Sequence, residues 1–184
     1  AVAFSRWLNE KYIEAGMFTL FPVGALDDAT DASKGNEGIP TQLYTTIMLD
    51  PHVWQIRLPT EWEWQHAATG GKAHYRYPWG MDWRPGHANT HEAGIRRTSA
   101  VGMFPNGASP IGALDMAGNV SEWCLNQHDE MRNIDMSAIG RRVRRGGGYT
   151  INGESNSLCW DRYNSGFDMD AIMGFRLVVA SLPL

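Results

Sequence analysis

A capped helix in the middle of the chain is the feature that most constrains the fold. Thr60 stands three residues before Glu63, the capping-box spacing at which each residue satisfies a free backbone N–H of the helix start. Gly70 and Gly71 supply a stop, because glycine readily adopts the left-handed conformation that ends a helix. The sequence therefore predicts a short helix over residues 61–69, followed by turn-rich chain.

An amphipathic pattern predicts another helix over residues 1–15, ended by Gly16. Its apolar residues recur at three- and four-residue steps: Val2, Phe4, Trp7, Leu8 and Tyr12. The runs 143–145 and 175–179 are typical of short strands. Two helices followed by glycine turns and short strands predict a loop-rich α+β domain whose strands pair antiparallel. A chain of 184 residues has room for one ordinary domain.

Charge and hydropathy exclude several classes of partner. The chain has 20 acidic and 16 basic residues, a net charge of −4, and its one basic run, 141–145, is short and isolated. We therefore expect no nucleic-acid partner, since phosphate neutralisation needs clustered cations. No apolar stretch approaches the roughly 18 residues of a membrane helix, so no membrane-spanning segment is expected. Cys124 and Cys159 lack zinc or redox spacing, which leaves their pairing and the cellular compartment open.

Residues 16–55 lack periodicity and are predicted to be an insertion loop. The stretch 27–38 is polar and contains glycine, as surface loops do. A loop of this length inside a compact domain is usually functional. One alternative is therefore an accessory domain whose partner docks on the insertion.

Four segments in a fixed order carry a family resemblance. They are RLPTEWEW (57–64) ending in AATGG (67–71), then YPWG (77–80), then GALDMAGNVSEW (112–123), and last RGGGY (145–149) with GFRLV (174–178). Together they resemble the formylglycine-generating-enzyme, or sulfatase-modifying-factor, family, a variant of the C-type lectin fold. The resemblance implies one C-type lectin-like domain over residues 1–184 that lacks its N-terminal strands.

The family resemblance leaves the activity open, because one fold hosts several functions. Members include a copper-dependent oxidase, an iron enzyme of sulfoxide synthesis, and the non-catalytic variable proteins of diversity-generating retroelements. The oxidase needs two neighbouring cysteine thiolates to hold Cu(I). Only Cys159 lies in the matching interval, and residues 153–155, where its partner would lie, contain no sulfur. We therefore expect no copper and no catalytic residues; a metal-dependent oxidase or oxygenase of the family is the alternative.

The segment 149–173 has the composition of a binding surface. Asn, Ser, Tyr, Asp and Gly dominate it, and such residues combine rigid aromatic contact area with adaptable hydrogen bonding. Many of them are reached from an asparagine codon by changing its adenines, as the resemblance to retroelement variable proteins implies. The sequence predicts a non-catalytic protein whose diversified face binds an unknown protein or surface ligand. The alternative is a polar loop on a lectin-fold domain with a fixed ligand.

The predicted contact residues of this face are Tyr149, Thr150, Asn152, Glu154, Asn156, Trp160, Asp161, Tyr163, Asn164 and Phe167. Trp160, Tyr163 and Phe167 are the expected hot spots, because aromatic anchors dominate interface energetics. Ser157, Leu158 and Arg162 are expected to belong to the scaffold. The same scaffold role is expected of a larger set: Arg57, Trp62, Trp64, Trp79, Trp123, Gly146, Gly147, Phe175 and Arg176.

The segment 118–123 resembles a family segment that holds a structural calcium ion. The oxygen donors would be the Asn119 side chain, the Val120 backbone carbonyl and the Glu122 carboxylate, all suited to calcium. In the alternative interpretation Asn119 caps a turn and Glu122 pairs with an arginine. The resemblance implies at most one structural Ca²⁺.

Overall fold

The computed structural model describes residues 1–14, 54–135, 137, 139–164 and 172–181. Helix α1 (Val2–Asn9) continues into a π-helical turn (Glu10–Glu14), and helix α2 (Glu61–Thr69) follows strand β1 (Trp54–Arg57). The remaining elements are two short 3-10 helices (His91–Ala93 and Pro105–Gly107), β2 (Ser121–Gln127), β3 (Arg142–Arg145), a one-turn helix α3 (Gly153–Asn156), β4 (Tyr163–Asn164), β5 (Met173–Gly174) and β6 (Val178–Ser181). Much of the described chain between these elements is irregular. Within these residues no helix is long and apolar enough to cross a membrane.

The strands of the described ranges form two small sheets. Strands β1 and β6 pair antiparallel, with Trp54 opposite Ser181. The larger sheet has the order β4-β3-β2-β5. Its β2–β5 pair is parallel, with Ser121 opposite Met173, whereas the other pairs of described strands are antiparallel, as predicted. Strands β2 and β5 are separated in the chain by β3, α3 and β4, so no hairpin joins them, and a crossover of this kind allows parallel pairing.

Strand β1 also corrects the predicted bounds of the insertion. Trp54 and Gln55 were assigned to the loop 16–55, but they belong to β1 and pair with β6. Their partners lie at the far end of the chain, so local periodicity could not reveal the pairing. Residues 16–53 of the predicted insertion lie outside the described residues.

The predicted capping box opens α2. The Glu63 backbone N–H donates to Thr60 Oγ1 at 3.2 Å, and the Thr60 N–H donates to Glu63 Oε2 at 2.8 Å. Gly70 ends the helix with a φ of 59°. These local bonds fix where α2 starts and ends, as the sequence predicts. The prediction of two helices did not include α3 or the two 3-10 helices, whose single turns are too short to show a helical period.

The main core lies between α2 and the larger sheet. Its buried members are Trp64, Ala68, Met116, Cys124, Val143 and Cys159. A smaller cluster, in which Leu8, Leu177 and Val179 pack on Ile56, holds α1 on the two-stranded sheet. Gly146 has a φ of 86° and faces the Trp64 ring, which a Cβ atom would approach to 3.1 Å. The expected scaffold role of Trp64 and Gly146 is consistent with this packing.

Two of the expected scaffold aromatics lie at the surface. Trp62 is 49% exposed and Phe175 is 40% exposed. Trp62 and Trp64 are two positions apart on a helix that turns every 3.6 residues, so they point in nearly opposite directions. Once Trp64 enters the core, Trp62 must face outward.

Buried charges tie distant parts of the chain together. Glu61, only 1% exposed, accepts from Arg145 Nη2 at 2.9 Å and from Arg162 Nε at 2.6 Å. Glu122 accepts from Arg176 Nη2 at 2.7 Å and from the Trp64 indole N–H at 2.6 Å. The Glu61 carboxylate thus joins three parts of the chain: α2, β3 and the segment after α3.

Replacing Glu61 by glutamine should therefore destabilise the domain strongly. Glu61→Gln leaves two guanidinium groups facing a neutral amide, and Arg145 is 2% exposed. Removing one partner from a buried ion pair costs about 3–5 kcal/mol. Urea unfolding followed by tryptophan fluorescence measures the change. Glu130→Gln, at an exposed carboxylate, is the control; equal stability of the two variants would contradict the assignment.

Candidate functional site

The predicted contact residues differ in how far they reach into solvent. Thr150, Asn152, Glu154 and Trp160 are exposed, Trp160 by 44%. The half-buried members are Tyr149, Asn156, Asp161, Tyr163 and Asn164. Phe167 lies outside the described residues, as do residues 165–171 of the predicted segment 149–173.

The first part of the segment is held by backbone bonds to the scaffold. The Tyr77 hydroxyl donates to the Glu154 carbonyl at 2.6 Å, and the Gly153 N–H donates to the Glu92 carboxylate at 3.1 Å. A Cβ atom on Gly153 would come within 2.1 Å of the Trp83 ring. Only glycine lets α3 lie this close to the indole. Asn152 caps α3 by accepting from the Ser155 N–H at 3.1 Å.

Glu92 is a carboxylate whose ionised form is favoured by these contacts. Burial by itself raises the pKa of Glu92, but hydrogen bonds from the Thr90 hydroxyl and the Gly153 N–H lower it below its ordinary value. The ionised carboxylate is therefore the form that anchors the start of α3 at neutral pH. Sequence reasoning missed Glu92, since its partner lies 61 positions along the chain.

The second part of the segment is held by hydrogen bonds within the segment and by a hydrogen bond to the scaffold. The Cys159 N–H donates to the Arg76 carbonyl at 2.8 Å. Tyr163 donates its hydroxyl to the Asn156 carbonyl at 2.6 Å, and Asp161 Oδ2 accepts from the Leu158 N–H at 3.0 Å. Burial raises the pKa of Tyr163, and the neighbouring Asp161 carboxylate raises it further. Asp161 and Tyr163 are thus bonded into the frame of the segment.

Two of the exposed residues, Thr150 and Trp160, line different depressions. Thr150 and Tyr163 line a cleft of about 120 Å³ beside Gly147 and Arg144. Trp160 instead lines a groove of about 240 Å³ that is also lined by Trp62 and Gln65 of α2. We call this second depression the α2 groove. The structure therefore places in one groove Trp160, a predicted contact residue, and Trp62, which the sequence assigned to the scaffold.

A sequence signal for the α2 groove existed in the helical period. Trp62, Gln65 and Thr69 are spaced three and four residues apart and share one face of α2. Trp64 and Ala68 lie on the other face and fill the core. A tryptophan on the polar face of a capped helix is a candidate contact residue rather than a core residue.

Both cysteines are free and lie in the main core. Each is 1% exposed, and burial raises the pKa of Cys159 to about 12 and raises that of Cys124 as well. The thiolate is the form that binds metal or attacks a disulfide. At neutral pH both side chains are therefore protonated thiols that pack as small apolar groups.

The predicted calcium ligands direct their oxygens to protein donors. Asn119 Oδ1 accepts from the Ser99 N–H at 3.0 Å, and the Glu122 carboxylate faces Arg176 and Trp64. These residues do not fit a calcium ion in this arrangement, because the two side-chain donors are engaged elsewhere. In the described ranges no three His, Cys, Asp or Glu side chains lie close enough together to hold a metal. The pairing of Glu122 with an arginine matches the alternative interpretation, and the melting temperature in calcium tests the two interpretations.

The element order, the two sheets and the irregular connections define an α+β domain of the C-type lectin type. The sulfatase-modifying factor enzyme 1-like domain family matches residues 1–181. Since this match spans nearly the whole chain, the chain belongs to that family.

Curated relatives and solved structures agree with this family. The chain is 38% identical over 129 residues to the formylglycine-generating enzyme of Streptomyces coelicolor, covering 58% of the chain and 38% of the enzyme. It is 36% identical over 112 residues to the inactive C-alpha-formylglycine-generating enzyme 2 of Bos taurus, covering 54% and 35%. The chain thus spans well under half the length of these curated relatives.

Two solved structures share the fold. Treponema denticola variable protein 1 superposes with a TM-score of 0.56 at 26% identity, covering 68% of this chain and 48% of that one. PvdO from Pseudomonas aeruginosa superposes with a TM-score of 0.52 at 28% identity, covering 70% and 53%.

The buried thiols should be unreactive while the domain is folded. We expect neither Cys124 nor Cys159 to react with Ellman's reagent at neutral pH, because the reagent needs an accessible thiolate. Both should react in concentrated urea, which serves as the control. Rapid release of the chromophore by the folded protein would contradict this prediction, because it would show that one of the cysteines is an accessible thiolate.

Calcium should leave the melting temperature unchanged. Binding at Asn119 and Glu122 would require Glu122 to leave Arg176, whose guanidinium would lose its partner. Melting curves in a chelator and in excess calcium should therefore coincide, since a ligand that binds only the folded state would raise the melting temperature. A higher melting temperature in calcium, abolished in Glu122→Gln, would establish the calcium site instead.

Proposed function

We propose that this domain is a non-catalytic ligand-binding protein whose segment 149–173 forms a diversified binding face, as in the variable proteins of diversity-generating retroelements. One observation carries the proposal. The backbone of the segment is held by scaffold contacts, while the side chains of Thr150, Glu154 and Trp160 remain exposed. Such an arrangement tolerates many sequences at the surface on one backbone frame.

The anchoring bonds involve groups that do not change with side-chain identity. The Glu154 position offers its carbonyl to Tyr77, the Gly153 position its N–H to Glu92, and the Cys159 position its N–H to the Arg76 carbonyl. Substitution of an exposed side chain leaves these bonds in place. Binding residues carried on a positioned loop are a general solution for adaptable recognition.

Similarity to known proteins supports the same proposal. Treponema denticola variable protein 1, which shares the fold with this chain at 26% identity, is by its name a variable protein. The family also contains a protein named as an inactive formylglycine-generating enzyme, so lack of catalysis has a precedent among the relatives. The protonated state of Cys124 and Cys159 adds support from this chain itself.

The direct test is deep sequencing of the coding region across many cells of one source population. We expect substitutions concentrated at the codons of Thr150, Asn152, Glu154 and Trp160, at positions matching template adenines. Codons for the scaffold positions Gly146, Gly147, Gly174 and Phe175 should be unchanged. The stretch 112–123, read in the same molecules, is the control for ordinary divergence.

Two outcomes would contradict the proposed function. A uniform segment 149–173 would indicate a domain with a fixed ligand. Substitutions spread equally over 112–123 and 149–173 would indicate ordinary divergence of the whole gene rather than directed diversification.

A further inference from the structure

The α2 groove combines a residue of the proposed binding face with residues of helix α2 and of the chain that follows it. Its lining side chains are Trp62, Gln65, His66, Thr69, Tyr75 and Trp160, around a volume of about 240 Å³. Trp62 and Trp160 expose 49% and 44% of their surfaces. Exposed aromatic rings that converge on a concave surface are typical of a binding site rather than of ordinary surface.

The polar groups of the groove are mainly hydrogen-bond donors. Within the described part of the chain, neither the Trp62 nor the Trp160 indole N–H has a hydrogen-bond partner, and an indole can only donate. Gln65 already accepts from Arg145 through its carbonyl oxygen at 3.3 Å, which leaves its amide N–H groups for a ligand. The Tyr75 hydroxyl accepts from Lys72 Nζ at 3.1 Å and keeps its own proton to donate.

Charge further restricts the ligand. None of the residues lining the groove is Asp or Glu. Lys72 Nζ lies 4.8 Å from the centre of the Tyr75 ring, so that aromatic face already has a cation beside it. A cationic ligand would meet like charge without a compensating carboxylate. The groove therefore disfavours a cationic ligand and suits one that is rich in acceptors and has apolar surface to place on the indoles.

A polyproline II segment has this chemistry. Proline lacks the backbone N–H, so such a segment presents free carbonyl acceptors and apolar rings but few donors. A sugar is a poorer match, because each hydroxyl also donates and a donor-rich wall would leave those protons unpaired. The volume is below the roughly 300–1,000 Å³ of sites that enclose a drug-sized ligand, which suits about one turn of the segment.

We propose that the α2 groove binds a proline-containing segment of a partner protein in the polyproline II conformation. Aromatic-lined grooves recognise such segments in other folds, because the ligand is pre-ordered and loses little entropy on binding. The inference rests on the proposed function, since Trp160 belongs to the segment 149–173. It adds that Trp62, on the scaffold, also lines the groove and that the partner class is a proline-rich protein.

The test is a titration of a fluorescein-labelled oligoproline peptide with the whole chain, followed by anisotropy. We expect saturable binding of oligoproline and none of a Gly-Ser peptide of equal length. Trp62→Ala and Trp160→Ala should each weaken binding by about tenfold or more, as expected for aromatic hot spots. Trp7→Ala is the matched control: Trp7 on α1 is also 49% exposed but does not line the groove.

A second variant separates binding from folding. Trp62→Phe keeps an aromatic ring and removes the indole donor, so it should bind more weakly than wild type and more tightly than Trp62→Ala. Circular dichroism melts should show all variants folded, since both tryptophans are exposed.

Several results would overturn the groove assignment. These are no binding of oligoproline by the wild type, equal affinity in Trp62→Ala, or binding of a maltooligosaccharide in place of the peptide. If the protein does not bind oligoproline but the population sequences vary at residues 150–160, the groove does not bind a polyproline segment, and the proposed diversified binding face is still supported. If oligoproline binds with the expected variant pattern but the sequences are uniform, the groove stands as a fixed site and diversification falls.

Discussion

The architecture of the candidate site depends on one buried carboxylate. Glu61 sits in the first turn of α2, where the helix dipole favours negative charge, and it accepts from Arg145 and Arg162 at once. Its own backbone N–H donates to Asn126 Oδ1 of β2 at 2.7 Å. A helix start, two strands and the segment after α3 therefore meet at a single point. Because an unpaired buried charge is costly, alternative arrangements of that segment are strongly disfavoured.

This anchoring lies below the surface, and the exposed side chain of Trp160 is not part of it. Arg162 reaches down to Glu61, while Trp160, two positions earlier, is 44% exposed. The neighbouring Cys159 is 1% exposed and belongs to the main core. Buried anchors and exposed positions thus alternate within a few residues. A chain that must present different side chains on one frame needs this separation of roles.

Local signals predicted much of the fold, and long-range pairing explains most of what they missed. The capping box of Thr60 and Glu63 identified α2 because both partners lie within one turn. The outward position of Trp62 follows from the same helix but becomes visible only after Trp64 is placed in the core. The parallel pairing of β5 with β2 and the contact of Glu122 with Arg176 join residues more than 50 positions apart. No spacing in the sequence encodes such contacts.

In the α2 groove, Trp62 of the scaffold and the exposed residues of segment 149–173 would contribute to binding in different ways. The position of Trp62 is set by the capped helix α2 and does not depend on the sequence of segment 149–173. A proline-rich partner would gain a constant part of its binding energy from Trp62 and Gln65. Exposed positions such as Thr150 and Glu154 would then add or withhold contacts that differ between variants. Specificity is a difference of affinities, so a constant contribution lets a few changes at these exposed positions decide which partner is retained.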